Sequence, residues 1–304
     1  MGQGEYVEYI VDEEYAGVRL DAWLAQILPE YSRGAWQKHI KNGGVRLSDM
    51  PQKPSRTLNV GERLTVIGTP ERIEIAQLAS IDDLPILYED DDVIVINKPS
   101  GLISHPKPGS REPSVSGSLL ARIEDTDIAR PGIVHRLDKD TSGVMIVAKH
   151  IAAKKSLQAA FKARSVEKEY YALVWGNIGL GVQRINFGIS RSPRKATVME
   201  VDPLGKASET YIQGLSYGDD VTLVTARPTT GRTHQIRLHL STIKHPIVGD
   251  SQYGGRPTAG RRLMLHAYSL RIPLPSGEIR VFTAPLGKDF LAVLHDFHCV
   301  YPVQ

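Results

Sequence analysis

The stretch Ile133–Lys149 constrains the fold most, because it sets a dense group of charges between two apolar runs typical of β-strands. The charged residues alternate in sign, and they are Arg136, Asp138, Lys139 and Asp140. A loop between such strands is held close to buried backbone, where neighbouring positive charges can keep one carboxylate ionised and fixed in direction. A charged loop without a catalytic role is the alternative, since charged side chains most often lie in water.

The composition predicts an ordinary globular protein of two domains. The chain has 304 residues, of which 41% are hydrophobic and 23% are charged. The single cysteine, Cys299, excludes an internal disulfide and a thiolate metal cluster, which fits a reducing cytosol. No signal-peptide pattern is present, and no apolar run reaches the roughly 18 residues needed to span a bilayer. We therefore expect a cytoplasmic protein without a membrane anchor.

Two separate basic segments indicate an extended polyanion as partner. Residues 33–63 hold seven lysines and arginines against two acidic residues, and residues 149–168 hold six against one. Each phosphate that such a surface neutralises releases counterions, which favours nucleic-acid binding. Solvated charged faces without a partner are the alternative.

Residues 16–67 predict a small α+β unit. An apolar stripe over Val18–Leu28 indicates a first helix, and Ser32 is a candidate N-cap of a second helix that continues to Ile40. The sequence Asn42-Gly43-Gly44 ends this second helix, which is basic on its polar side.

The flanking segments complete the predicted domain organisation. Short strands are expected at 45–47 and 63–66. Residues 1–15 fit a tail or an edge strand, and residues 68–84 lack periodicity and fit a linker. A second domain then spans residues 85–304.

The unit at 16–67 resembles the S4 RNA-binding domain. The residues that carry the resemblance are Val18-Arg19-Leu20-Asp21, Ser32-Arg33-Gly34, the helix end Lys38–Gly44, and Lys53-Pro54-Ser55 before Gly61-Glu62. The resemblance implies that Arg33, Lys38 and Lys41 contact the RNA backbone. A generic small domain with a solvated basic helix is the alternative.

The sequence pattern of the second domain predicts a large, mostly antiparallel sheet with a few helices. Segments with β-strand propensity are Ile86–Tyr88, Val93–Lys98, Glu169–Trp175, Ile185–Ile189, Ala196–Val201, Ala207–Leu215 and Val221–Ala226. Helices are expected at 116–123 and at 152–164. The block from Thr230 to Leu240 predicts a turn into a third helix, with Thr233 as candidate N-cap.

Several kinds of chemistry are disfavoured by spacing. His234 and His239 are five residues apart, about 140° around a helix, so a helix would not direct both at one metal ion. The chain has no Gly-x-Ser-x-Gly elbow of a serine hydrolase. It also lacks a Walker loop and a Gly-x-Gly-x-x-Gly fingerprint for nucleotides. We expect no metal site.

What remains is a carboxylate in a basic setting, on a chain suited to RNA. Enzymes that act on a base in folded RNA must first extrude it, which requires a group to fill the gap and an aromatic ring to stack on the base. Arg136 and Tyr170 are residues of these types.

The block His135–Gly143 resembles the signature of the RluA/RluD family of pseudouridine synthases. Four further blocks agree in family order: Asn97–Gly101, Lys168-Glu169-Tyr170, Gly231–Leu240 and Leu265-His266-Ala267. The resemblance covers about residues 85–290. It implies the fold class α+β, with an S4-type domain followed by a synthase domain that has a large mixed, mostly antiparallel sheet.

The resemblance assigns Asp138 as the catalytic aspartate. Asp138 would attack C1′ of the uridine ribose, or abstract the 2′ proton on the alternative glycal route. In both cases the N1–C1′ bond breaks, the uracil rotates, and C5 rejoins C1′ without cofactor or metal. Such chemistry requires an ionised carboxylate and a pocket that retains the cleaved base.

The resemblance also implies roles for four other residues. Arg237 would pair with Asp138, Tyr170 would stack on the base and help remove the C5 proton, Arg136 would enter the RNA stack, and Leu265 would form an apolar wall. Each residue also has a structural alternative. Arg237 would form a surface ion pair, and Tyr170 would be a half-buried tyrosine of a strand. Arg136 would only contact a phosphate, and Leu265 would belong to the core.

The predicted function is isomerisation of uridines to pseudouridine in 23S ribosomal RNA by a monomeric enzyme of the RluD type. A non-catalytic RNA-binding protein is one alternative, but Asp138, Tyr170 and Arg237 are all present. A transfer-RNA enzyme of the same chemistry is the other alternative, and the S4-like unit argues against it.

Overall fold

The computed structural model describes residues 6–28, 31, 33–70, 80–81, 83–106, 110, 112–124, 130–195, 197–254 and 260–301. They form two compact units, one within residues 1–80 and 105–132 and the other within residues 81–104 and 133–304. Residues 105–132 therefore belong to the first unit, although the sequence predicted that all of residues 85–304 form a single domain. The boundaries at 16–67 and 68–84 stay predictions.

The first unit contains a four-stranded antiparallel sheet and short helices. Its elements are β1 (Tyr6–Ile10), α1 (Leu20–Ile27), α2 (Arg33–Lys41), β2 (Val45–Leu47), β3 (Met50–Pro51), β4 (Arg63–Ile67) and α3 (Val115–Ser118), with 3-10 turns at Glu13–Tyr15 and Leu120–Arg122. The strand order is β1-β4-β2-β3. Residues 6–10, predicted as tail or edge strand, thus form an edge strand. Ser32, the candidate N-cap, lies outside the described residues.

The two longer helices of this unit pack through the apolar positions that the sequence indicated. Helix α1 buries Leu20, Trp23 and Leu24, and helix α2 buries Trp36 and Ile40. These spacings of three and four residues place each set on one helix face. The two tryptophans therefore anchor one common core.

A buried carboxylate joins the starts of α1 and α2. The side chain of Asp21 accepts hydrogen bonds from Arg19 at 3.0 and 2.9 Å, from Arg33 at 3.2 Å and from Gln37 at 2.6 Å. Burial alone would raise the pKa of Asp21, but these donors hold it well below its usual value. Arg33, predicted to contact RNA, is therefore also a structural residue.

The second unit is built on one ten-stranded sheet. Its elements are β5 (Ile86–Glu89), β6 (Val93–Lys98), β7 (Ser142–Ala148), α4 (Ile151–Ala163), β8 (Glu167–Trp175), β9 (Gln183–Arg191), β10 (Met199–Val201), β11 (Lys206–Gly218), β12 (Val221–Pro228), α5 (Gln235–Thr242), β13 (Leu265–Pro273), β14 (Ile279–Thr283) and α6 (Lys288–Asp296). The order is β10-β9-β11-β12-β8-β13-β7-β6-β5, and β14 pairs with β13. The predicted large, mixed and mostly antiparallel sheet is confirmed.

The parallel pairing of β7 with β13 lies inside this sheet, between β8 and β6. His266 pairs with Ser142 and Ala267 pairs with Gly143. Gly143 has φ +116°, and a Cβ there would lie 2.2 Å from the Ala267 carbonyl oxygen. Glycine is therefore required by the close approach of the two backbones.

Local details at two segments differ from the sequence predictions. Thr233 is not the N-cap of α5; His234 occupies that position with φ 55° and makes no side-chain capping bond. Gln235 instead closes the turn, because its Oε1 accepts from the Arg232 amide at 3.0 Å and from the Thr230 hydroxyl at 2.7 Å. Strand β10 begins at Met199, and Ala196 lies outside the described residues.

Among the described residues, no helix is both long enough and apolar enough to cross a membrane.

Candidate active site

A cavity of about 510 Å³ opens in the second unit. The five residues predicted for the catalytic site of this unit all line it, and they are Arg136, Asp138, Tyr170, Arg237 and Leu265. They come from the loop before β7, from β8, from α5 and from β13. A volume of this size falls within the range of small-molecule pockets. The other predicted site residues, Arg33, Lys38 and Lys41, are exposed residues of α2 in the first unit.

The loop that carries Asp138 is held by residues 98–104. The Gly101 amide donates to the Lys139 carbonyl at 2.9 Å, and the Ser100 hydroxyl donates to the Asp140 carbonyl at 2.8 Å. Ser104 Oγ donates to the Leu137 carbonyl at 2.9 Å and accepts from the Leu137 amide at 3.1 Å. The backbone on both sides of Asp138 is therefore fixed by this one segment.

Lys98 anchors the same loop from inside the protein. Its Nζ donates to the carbonyls of Pro99 at 2.9 Å, Leu102 at 2.7 Å and Lys139 at 3.1 Å. The side chain is completely buried. Burial lowers the pKa of Lys98 to about 7, although the negative charges of Asp140 and Asp138 oppose the shift.

His135 holds the start of the loop against β7 and α4. Its ring stacks on Phe161 with centroids 4.8 Å apart, and its Nε2 accepts from the Ile146 amide at 3.1 Å. Burial, followed by the charge of Lys168, lowers the pKa of His135 to about 3. This histidine is therefore neutral and structural at physiological pH.

Arg237 contacts two carboxylates at once. Its Nη1 donates to Asp138 Oδ2 at 3.4 Å, which supports the predicted pair. Its Nε and Nη2 donate to the two oxygens of Asp250 at 2.7 and 2.9 Å. The bidentate contact is the shorter one, so Asp250 sets the orientation of the guanidinium.

His234 is a second neighbour of the Asp138 carboxylate. Its Nε2 lies 3.9 Å from Asp138 Oδ2, the oxygen that also faces Arg237. Its Nδ1 lies 2.8 Å from the hydroxyl of Tyr253. Burial lowers the pKa of His234, although the charge of Asp138 opposes this, so the imidazole is neutral at physiological pH.

Tyr170 and Leu265 form the aromatic and apolar part of the cavity wall. Tyr170 lies on β8 opposite Ala267 of β13, and Leu265 lies opposite Ala172. The alternation along paired strands puts both side chains on one face of the sheet. Burial, with a smaller contribution from Asp138, raises the pKa of Tyr170 well above its usual value. Tyr170 is therefore a neutral phenol.

Positive side chains surround the cavity. Those that line it, besides Arg237, are Arg136, Lys162, Arg164, Lys168 and Arg232. Lys168 donates to the Thr230 carbonyl at 3.3 Å, and burial lowers the pKa of its ammonium. Among the residues that the structure describes, Asp138 is the only acidic side chain that lines the cavity. This charge distribution suits a polyanion with one reacting centre.

The arrangement supplies one carboxylate, a neutral phenol, a neutral imidazole and a cationic rim. Among the described residues, no group of three or more histidine, cysteine, aspartate or glutamate side chains could hold a metal ion. The chemistry that this geometry supports is covalent or proton-transfer chemistry by Asp138.

Comparison with known proteins identifies the family. The family model of RNA pseudouridylate synthase matches residues 92–242. The Haemophilus influenzae protein named ribosomal large subunit pseudouridine synthase D is 37% identical over 308 residues, covering 96% of this chain and 94% of its own. This chain belongs to the RNA pseudouridylate synthase family. It is an isomerase that acts on RNA.

Solved structures of the same family share the fold. Human RNA pseudouridylate synthase domain containing 1 is 31% identical, with a TM-score of 0.56, and covers 71% of this chain and 86% of its own. Human RNA pseudouridylate synthase domain containing 4 is 28% identical, with a TM-score of 0.57, and covers 72% and 95%.

Three side chains at the synthase site were not singled out from the sequence as parts of it. They are His234, Asp250 and Tyr253. His234 lies in the recognised block Gly231–Leu240 and could have been nominated from its position beside Arg237. Asp250 and Tyr253 carry no comparable signal, because they are more than ten residues beyond Arg237 and reach it only through the folded loop.

Proposed function

We propose that this synthase converts uridines of large-subunit ribosomal RNA to pseudouridine, with Asp138 as the catalytic residue. The observation that carries the proposal is the Asp138 carboxylate, partly exposed in the cavity and facing Arg237 at 3.4 Å. The relatives named ribosomal large subunit pseudouridine synthase D, which match nearly the full length of this chain, support the choice of RNA.

The reaction requires an extruded uridine in the cavity. Arg136, which is exposed at the cavity, would fill the gap in the RNA stack, and Tyr170 and Leu265 would hold the base between an aromatic and an apolar surface. The cationic rim would contact the neighbouring phosphates. These roles agree with side-chain type and position in the cavity.

Asp138 would then break the glycosidic bond by one of two routes. In the first, a carboxylate oxygen bonds to C1′ and the N1–C1′ electron pair leaves with the uracil. In the second, the carboxylate takes the 2′ proton and the same bond breaks. In both routes the uracil rotates and C5 bonds to C1′. The bond between Asp138 and C1′ breaks as C5 attacks in the first route, and the 2′ proton returns to C2′ in the second. The C5 proton is then lost and N1 gains a proton, which restores the Asp138 carboxylate and completes the isomer. Arg237 would stabilise the carboxylate in its ionised form.

The raised pKa of Tyr170 bears on the last step. A phenol must lose its proton before it can accept one from C5, and the shift disfavours that loss. We therefore assign stacking to Tyr170 as its main contribution, with removal of the C5 proton as secondary.

We further propose that residues 16–67 are an S4-type domain that binds the RNA backbone through Arg33, Lys38 and Lys41, and that the chain acts as a monomer. All three side chains are exposed. Replacing Lys38 and Lys41 with glutamine should weaken binding uniformly and reduce the salt dependence of the affinity by about one charge for each lost phosphate contact.

The deciding experiment measures tritium release from transcribed 23S ribosomal RNA that is labelled at C5 of uridine. Wild-type protein should release tritium, and Asp138→Asn should release none while binding RNA normally. Asp91→Asn, the same change at an exposed turn of the second unit, is the control. Release from transfer RNA alone would overturn the ribosomal target, and release by Asp138→Asn would overturn the role of Asp138.

A further inference from the structure

Residues 249–254, with the sequence Gly-Asp-Ser-Gln-Tyr-Gly, follow α5 and contact both side chains that face Asp138. We call them the 249–254 segment. Asp250 holds Arg237, and Tyr253 contacts both Arg237 and His234. The segment is therefore linked to the Asp138 carboxylate through two side chains, Arg237 and His234.

The carboxylate of Asp250 is itself fixed by its own loop. Its Oδ1 accepts from the backbone amides of Gln252 and Tyr253, both at 3.0 Å. The side chain of Asp250 is 1% exposed, and burial, which alone would raise its pKa, is outweighed by the bonds from Arg237, so the pKa lies below its usual value. Gln252 extends the clamp: its Oε1 accepts from Arg237 Nη2 at 3.4 Å and its Nε2 donates to the Thr197 carbonyl at 3.1 Å.

Tyr253 connects the same segment to His234. The Arg237 guanidinium carbon lies 5.1 Å from the centroid of the Tyr253 ring. The Tyr253 hydroxyl accepts from the Met199 amide at 2.9 Å, which leaves its own proton available for His234 Nδ1 at 2.8 Å. Donation to Nδ1 would place the imidazole proton on Nε2, on the side of Asp138.

Two glycines fix the shape of the 249–254 segment. Gly249 has φ +80°, and a Cβ there would lie 1.8 Å from the Arg262 carbonyl oxygen. A Cβ at Gly254 would lie 2.2 Å from the Asp250 carbonyl oxygen. Only glycine satisfies both positions without moving backbone, so the segment is built for one conformation.

We propose that the 249–254 segment is a positioning element for Asp138, with Asp250 acting through Arg237 and Tyr253 acting through His234. The inference rests on the proposed catalytic role of Asp138. Because Asp250 takes the bidentate contact, Arg237 offers Asp138 one N–H at 3.4 Å instead of a tight two-pronged bond. Asp138 thereby has a nearby positive charge and keeps an oxygen available for the substrate.

The test combines single and double substitutions with single-turnover tritium release. Asp250→Asn should lower the rate about 100-fold, because a misplacement of about 1 Å has that cost, while the dissociation constant for RNA changes less than twofold. Tyr253→Phe keeps the ring beside Arg237 and should lower the rate about 10-fold, as expected for one lost hydrogen bond. Glu278→Gln, which removes the carboxylate of an exposed Arg–Glu pair with Arg280 on β14, should leave the rate unchanged.

The double variants distinguish positioning from general structural support. If Asp250 acts through Arg237, the variant Asp250→Asn/Arg237→Gln should react no more slowly than Arg237→Gln alone. Likewise, the variant Tyr253→Phe/His234→Gln should react no more slowly than His234→Gln alone. Multiplication of the single effects would overturn the proposal, as would a wild-type rate for Asp250→Asn.

Two controls distinguish a failure of the positioning proposal from a loss of fold and from a failure of the proposed function. Rates are compared per folded molecule, with the folded fraction taken from thermal melting, so that loss of fold is not counted as loss of rate. Absence of tritium release by the wild type would contradict the proposed function itself. The positioning proposal fails only if the wild type releases tritium and the variants do not show the expected rates.

Discussion

Replacing Gly143 with alanine tests whether the close approach of β7 and β13 stabilises the synthase sheet. The added Cβ would lie 2.2 Å from the carbonyl oxygen and 2.6 Å from the amide nitrogen of Ala267. Neither neighbour is a flexible side-chain end, so the two strands must separate. Separation would strain the only parallel pairing among the described strands of this sheet and would displace the loop that carries Asp138.

The expected loss in the free energy of unfolding has two parts. A non-glycine residue at φ +116° costs about 1–3 kcal/mol. Overpacking against backbone costs about 1–3 kcal/mol more. We therefore expect a loss of about 4 kcal/mol, which corresponds to a fall in Tm of about 8–16 °C for a unit of this size. The single-turnover rate should fall as well.

Two further alanine variants separate the two parts. Gly277 has φ +89° but has no atom within 4 Å of an added Cβ, so Gly277→Ala carries the conformational cost alone. Gly181 has neither constraint, so Gly181→Ala should be neutral or stabilising by about 0.4–1 kcal/mol. Thermal and denaturant melting of the full chain compares all three. A Gly143→Ala protein that melts no lower than Gly277→Ala would refute the argument from close approach.

Three further predictions concern buried groups. The donors around Asp21 depress its folded pKa, so the stability that it contributes is present above about pH 4 and is lost as pH falls further; Asp21→Asn should abolish this part of the acid dependence in denaturant melts. The pKa of Lys98 is about 7 in the folded state and about 10.4 in the unfolded state, so the unfolded chain binds more protons between these values and stability should rise by about 2 kcal/mol from pH 7 to pH 9. Lys98→Met should remove that rise, and an unchanged slope would contradict it. Ser104→Ala loses both bonds to Leu137 and should slow the reaction about 10-fold without weakening RNA binding, whereas Ser276→Ala at an exposed turn should have no effect.

The sequence could predict those parts of the fold that depend on local pattern. Apolar spacing located α1, α2 and α4 to within one or two residues, and alternation located most strands of the large sheet. The resemblance nominated five residues that prove to line a single cavity, although their chemical roles stay predictions. Local pattern and family blocks were sufficient here because each lies within a short continuous segment.

Other parts depend on contacts between distant segments. Thr233 is a good N-cap by residue type, yet Gln235 closes the turn through Thr230 and Arg232, so His234 is the N-cap and the helix begins one residue later than predicted. The pairing of β7 with β13 joins residues more than 120 positions apart, and spacing along the chain does not indicate it. Asp250 likewise reaches Arg237 only after the loop has folded.

Arg33 shows the same limit in the first unit. Its residue type and position on a basic helix favoured contact with RNA, but its guanidinium also bridges to the buried Asp21. About half of its side chain is exposed, so the two roles are compatible. A substitution of Arg33 will therefore change stability as well as any affinity for RNA.

Three aspartates in this chain show how the surroundings of a carboxylate determine what it can do. Asp21 is completely buried and accepts from three side chains, and Asp250 is 1% exposed and accepts from one arginine and two backbone amides. Asp138 differs in both respects, because its side chain is 19% exposed in the cavity and, among the described residues, receives a single N–H at 3.4 Å. A carboxylate whose lone pairs are occupied by short bonds is poorly placed to react, whereas one near a cation but with an accessible oxygen can attack a carbon or take a proton. The number and length of these donors, rather than the residue type, therefore favour Asp138 over Asp21 and Asp250 as the residue that reacts.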